Sequence, residues 1–127
     1  MVRAVRGATT VESDDIEEII AGTVSVLKKM VEENKIETDD IISVIFTMTH
    51  DLNAGFPAAA ARRLGWTDVA LMCMNEIDVP GSLKKCIRIL MHINTEKKNT
   101  DIRHIYLKEA RELRPDLVNK TEDRVKK

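Results

Sequence analysis

Apolar residues recur at Ile16, Ile19, Ile20, Thr23/Val24, Leu27, Met30 and Val31, one stripe at helical period. The spacing predicts a long helix over about residues 14–34. Ser13 or Asp14 is placed to cap it, acidic residues gather in its first turn, and Lys28, Lys29 and Lys35 lie toward its other end. The remaining apolar runs are short and rich in β-branched residues, the signature of strands. They predict strands at 2–9, 41–49, 69–74, 86–93 and 102–107. Pro57 suits the first turn of a short helix that continues through Ala58–Leu64, and Gly65 stops it. Thr38–Asp40, His50–Phe56 and Asn75–Ser82, the last containing Pro80-Gly81, read as breaks and loops.

Five strands with one long and one short helix predict an α+β domain built on a single mixed five-stranded sheet. One long helix covers only one sheet face. The runs 41–49 and 86–93 are nevertheless apolar on both faces, so the second face needs a partner, and a homo-oligomer supplies it. A chain of 127 residues fits one domain spanning 1–127, with a polar and mobile C-terminal tail from about residue 116.

Composition narrows the function. Aromatic residues make up only 3% of the chain against 43% hydrophobic overall, so the core is aliphatic. Net charge is −1 and basic residues occur only as scattered pairs, which argues against nucleic acid as a partner. No apolar stretch approaches the roughly 20 residues of a membrane helix, and the N-terminus lacks the apolar core of a signal peptide. Cys73 and Cys86 form no metal-type spacing, and free thiols in a reduced, cytoplasmic setting are the simplest expectation. His50, His92 and His104 show no ligand spacing, and glycine-rich phosphate loops and nucleophile elbows are missing, so no metal and no cofactor are expected. Cys73 has no partner base in the pattern.

A few residues break local rules. In the fourth strand, alternation puts Ile87, Ile89, Met91 and Ile93 on one face and Cys86, Arg88, Leu90 and His92 on the other. Arg88 therefore projects from mid-strand among apolar neighbours, where a guanidinium must be paired or must serve an anionic ligand. Taken alone, a structural ion pair is the commoner case. Arg6 ends the first strand beside Gly7, Glu76 follows the third, Tyr106 is the only tyrosine, and Arg114 precedes Pro115. Arg62 and Arg63 sit on the short helix. Each alone has an ordinary surface or core explanation.

Together they carry a resemblance. Arg6-Gly7-Ala8-Thr9-Thr10-Val11-Glu12, Asp51-Leu52-Asn53-Ala54-Gly55-Phe56-Pro57-Ala58, Gly65-Trp66, Met72–Leu83, Cys86-Ile87-Arg88-Ile89-Leu90, His104-Ile105-Tyr106-Leu107 and Leu113-Arg114-Pro115-Asp116-Leu117 follow in order over residues 3 to about 117. This series resembles the small trimeric chorismate mutases of the Bacillus type. The resemblance implies a homotrimer with a barrel-like core, active sites between subunits, no cofactor, and a dianionic substrate, chorismate, rearranged to prephenate on the way to phenylalanine and tyrosine. It implies that one subunit supplies Arg6, Glu76, Arg88 and Tyr106, with Leu113 and Arg114 near the mouth. The neighbour would supply Phe56, Ala58, Arg62 and Cys73. Ala59 stands where some members carry lysine, so a cation at the mouth is missing or replaced by Arg63.

Two other readings remain open on the residues. A small trimeric imine deaminase also uses an interfacial arginine to hold a carboxylate, but gives Glu76 no role. A small-molecule sensing domain of similar fold would bind an amino acid without turnover.

Overall fold

The computed structural model describes residues 1–116, and the expected tail beyond Asp116 lies outside the described residues. The strands are β1 (Val2–Thr10), β2 (Ile41–Met48), β3 (Ala70–Asn75), β4 (Cys86–Asn94) and β5 (Ile105–Tyr106). The helices are α1 (Ile16–Asn34) and α2 (Ala59–Arg63). The strands form one sheet in the order β3-β2-β4-β1-β5. The β1/β4 and β2/β4 pairs are antiparallel, while β2/β3 and β1/β5 are parallel, so the predicted mixed five-stranded α+β sheet is what forms.

The helix covers one face. Ile20, Val26, Leu27 and Met30 of α1 are buried against Val5, Val44, Phe46, Ile89, Met91 and Ile93, and Ile19 packs with Val11, Met48, Leu52 and Ile87. Gly7 lets the helix come close: a Cβ there would lie 2.5 Å from both Met30 Sδ and Val26 Cγ1. The predicted stripe is largely buried, but Ile16 is exposed and Val26 and Asn34, outside the stripe, are buried.

The alternation in β4 holds. Ile87, Ile89, Met91 and Ile93 are all 2% exposed or less. Burial of such side chains stabilises by about 1.5–3 kcal/mol each. A one-residue slip would exchange these four for Arg88 and His92, so the register that turns Arg88 away from the helix is strongly specified. On that second face the single chain leaves Ser43, Ile45, Thr47 and Leu90 half-buried and Met72 and Met74 exposed. One chain therefore covers only one face of the second and fourth strands, and the other is the face for which a partner is expected.

Three local expectations are corrected. Asp15, not Ser13 or Asp14, caps α1, accepting from the Glu18 amide at 3.1 Å. Ser13 instead bonds the Glu18 side chain, and Asp14 Oδ1 accepts from the Asn53 and Ala54 amides, each at 2.9 Å. The last turn of α1 holds no basic residue, and Lys35 lies just past it in the left-handed C-cap position (φ 53°). Finally, the fifth strand is two residues long rather than six. Asn34 explains this: its Oδ1 accepts from the Arg103 amide at 2.8 Å and its Nδ2 donates to the Arg103 carbonyl at 2.9 Å. The backbone before β5 is thus satisfied by a side chain and not by a neighbouring strand.

Candidate active site

The face away from α1 carries the charge. Directly paired residues share a sheet face, so the registers define one row: Met74 of β3, Thr47 of β2, Arg88 of β4, Ala8 of β1 and Tyr106 of β5. The next row contains Met72, Ile45, Leu90 and Arg6. Glu76 lies two residues beyond Met74, where its amide extends the β2/β3 pairing by donating to the Met48 carbonyl at 3.0 Å. Four of the residues singled out in the sequence, Arg6, Glu76, Arg88 and Tyr106, are therefore on or beside one sheet face.

Their contacts are specific. Arg88 Nε is 2.9 Å from Glu76 Oε1, and the Thr47 hydroxyl donates to Glu76 Oε2 at 3.0 Å. The Nε–H is not aligned with the carboxylate oxygen, so the contact is a charge pairing and not a directed hydrogen bond. Arg6, Thr47, Met74, Glu76, Arg88 and Leu90 line an open cleft of about 620 Å³. The ion pair expected of a structural arginine is thus present, but it lies at the wall of a cleft beside a second guanidinium.

Tyr106 is buried, and its hydroxyl has no hydrogen-bond partner among the described residues. The Arg6 guanidinium lies over its ring, 6.0 Å from the centroid. Ala8, Tyr106 and Ala110 form a small apolar cluster against which Leu83 and Leu113 pack. Arg114 follows Leu113 and forks onto Asp116, with both contacts at 3.2 Å.

The other group sits elsewhere. Phe56 is exposed just ahead of α2, Ala58 is buried in the main core, and Arg62 is exposed on α2. Cys73 pairs with Phe46 in register and packs on the helix-facing core, half-buried. None of these four lines the Arg88 cleft of its own chain. Arg63 is held by Glu17 of α1 at 3.3 Å. Both cysteines are free. Burial, then the Glu76 carboxylate, pushes the Cys86 thiol up to about 11, so a neutral thiol stands beside Arg88.

Two contributors escaped the sequence reading. Thr47 carries the only polar side chain on its face of β2 besides Ser43, a departure visible in an otherwise apolar run. His104 accepts a hydrogen bond at Nδ1 from the Arg6 amide at 2.9 Å. Among the described residues no three His, Cys, Asp or Glu side chains converge as metal ligands, and no helix is long and apolar enough to cross a membrane.

Residues 2–117 match the family described as chorismate mutase type I. The chain belongs to that family. The family is one of isomerases, and membership makes this chain an enzyme that converts chorismate to prephenate in aromatic amino acid biosynthesis. The chain is 48% identical over 118 residues to the chorismate mutase AroH of Bacillus subtilis (strain 168), covering 92% of this chain and 93% of that one. It is 48% identical over 118 residues to the chorismate mutase AroH of Thermus thermophilus, covering 92% and 97%. A solved chorismate mutase from Clostridium thermocellum superposes with a TM-score of 0.85 at 61% identity, covering 86% of this chain and 97% of that one. Family membership decides for the isomerase over the deaminase and sensing readings.

Proposed function

We propose that the cleft lined by Arg6, Glu76 and Arg88 binds and rearranges chorismate, and that a neighbouring copy in a homotrimer completes it. The observation that carries this reading is that two guanidiniums and one carboxylate line a cleft on the sheet face that α1 leaves open, with Arg6 over the ring of a tyrosine whose buried hydroxyl has no partner among the described residues.

The reaction is an intramolecular [3,3] rearrangement of a dianion. It needs the substrate held compactly with its carboxylates bound, and it needs stabilisation of charge that appears as the ether C–O bond parts. Arg6 takes one carboxylate through its planar fork, and the Tyr106 hydroxyl gains in the substrate a partner that the described residues do not supply. Positioning of this kind removes an entropic part of the barrier. Arg88 donates to the ether oxygen, an interaction that strengthens as that oxygen becomes anionic. Glu76 accepts from the ring hydroxyl and offsets positive character on the ring. Leu113 walls the mouth, and Arg114 exchanges Asp116 for substrate. From the neighbour, Phe56, Ala58 and Cys73 supply walls and Arg62 a further cation.

Support for the trimer is the uncovered second face. Met72 and Met74 are exposed on the edge strand β3, and Ile45 and Leu90 are half-buried beside them. A closed cyclic assembly of identical copies covers such a face in each subunit. Two free thiols fit a reducing, cytoplasmic setting.

The test is subunit complementation, following loss of chorismate absorbance. Arg88→Ala and Arg62→Ala are each impaired alone. Co-refolded in equal amounts, random assortment restores about a quarter of the sites if Arg88 and Arg62 come from different subunits. Recovery of activity supports the shared site, and a mixture no more active than the mean of its parts rejects it.

A further inference from the structure

The proposed mechanism leaves unused one part-buried polar contact behind the cleft residue Arg6: the bond from its amide to His104. We propose that His104, as a neutral imidazole accepting at Nδ1, is a positioning residue that holds Arg6 and Tyr106 in one rigid unit for carboxylate binding. The inference rests on the reading of Arg6 and Tyr106 as the carboxylate-binding pair.

The geometry is as follows. β5 contributes only two paired residues, Gly7 with Ile105 and Ala8 with Tyr106. Leu107 closes one end by donating to the Ala8 carbonyl at 2.9 Å. At the other end the Arg6 amide donates to a side chain, His104 Nδ1, at 2.9 Å. A side chain thus replaces the first rung of the shortest strand pairing in the sheet. The rung links the residue carrying the guanidinium to the residue two before the tyrosine. A strand this short is held by few bonds, so loss of one lets Tyr106 move relative to Arg6.

The tautomer follows from the donor. An amide N–H can only donate, so Nδ1 must be unprotonated and the ring proton must sit on Nε2. The charges acting on the ring agree. Arg6 faces it from β1 and Arg114, paired with Asp116, from the segment after Leu113, while α1 reaches the preceding residue through the uncharged Asn34 and through Glu33, whose carboxylate is paired with the Arg103 guanidinium at 3.2 Å. Burial, then Arg6, then Arg114 hold His104 below the ordinary 6.5. Protonation sets two donors against each other and opens the rung. Because the folded-state value is lowered, the neutral form persists through neutral pH and is lost only as pH falls below 6.5.

Asn and Gln separate this role from simple packing, because Asn places its Oδ1 near the position of Nδ1 and Gln reaches toward Nε2. Steady-state kinetics on the full chain should show KM for chorismate raised about three- to tenfold in His104→Ala, the value of one lost hydrogen bond, with kcat nearly unchanged. His104→Asn should recover most of the loss, and His104→Gln should not. In the unsubstituted enzyme KM should climb as pH drops below 6.5, and that climb should be missing in His104→Asn. Equal KM in the Asn and Gln variants, or a KM that falls with acidification, overturns the proposal. If His104→Ala does not fold, the Asn and Gln contrast decides alone. Arg6→Ala is measured beside them. Raised KM in Arg6→Ala with unchanged KM in His104→Ala rejects only the positioning role, whereas unchanged KM in Arg6→Ala rejects the carboxylate reading beneath it.

Discussion

Arg88 Nε lies 2.9 Å from Oε1 of Glu76, at the wall of a cleft and not inside the core. Thr47, opposite Arg88 in the β2/β4 pairing, fixes the other carboxylate oxygen from beneath. On the proposed reading the two charges are placed before substrate arrives, so that reorganisation at the moment of reaction is small.

If Arg88 donates to the developing oxyanion, Arg88→Ala should lower kcat at least about 10²–10³-fold, the loss seen when one preorganised donor is removed. Arg88→Lys should recover part of it, since it restores charge without the planar fork. Near-normal turnover in a folded Arg88→Ala protein would remove this residue from the mechanism.

Tyr106→Phe isolates a hydroxyl. That hydroxyl is buried with no partner among the described residues, so its removal should leave thermal stability unchanged or slightly raised. KM for chorismate should nevertheless rise by a few fold, about the value of one hydrogen bond. A loss of stability with unchanged KM would mean that the hydroxyl serves the fold and not the substrate.

Gly7→Ala tests the close approach of helix and sheet. The new methyl would overlap Met30 and Val26, both fully buried. Overpacking of this kind costs about 1–3 kcal/mol. Calorimetry should show the melting temperature reduced by several degrees, and the shift of β1 should weaken the action of Arg6. An unchanged melting temperature would show that α1 is free to move away.

Asp51 sets an acid limit on stability. Burial alone would raise its carboxyl, but the Thr49 hydroxyl at 2.5 Å and the Lys85 amide at 2.9 Å outweigh it and hold the group below its ordinary 3.8. A folded-state value that is lowered gives stability present above 3.8 and lost as pH falls through the folded value. Asp51→Asn should therefore be less stable than the parent at neutral pH, and the difference should shrink below about pH 4. Parallel melting curves against pH check this, and a constant difference would argue against it. Thr49 also receives the Cys86 amide at 3.0 Å, so the same contact anchors the start of the strand that carries Arg88.

The face on which Arg88 stands was legible in the chain, because alternation along a strand is covalent geometry and four buried apolar partners select one register. The long helix was legible for the same kind of reason, since its period is local. Which of Ser13, Asp14 and Asp15 capped it was not, because three adjacent acceptors are equivalent until the fold brings the loop at Asn53–Ala54 within reach of one of them. The fifth strand was read too long because Asn34, 69 residues away from Arg103, takes over its backbone bonds. The candidate site divides along the same line. Its residue types and their order were written in the chain, and the likeness they carry was already visible there. That Thr47 stands beneath Glu76, that Tyr106 lies beside Ala8, and that His104 holds Arg6 depend on strand register and on a parallel pairing, which are contacts between distant segments. Local sequence carries the preferences of each segment, and only packing decides which segments meet.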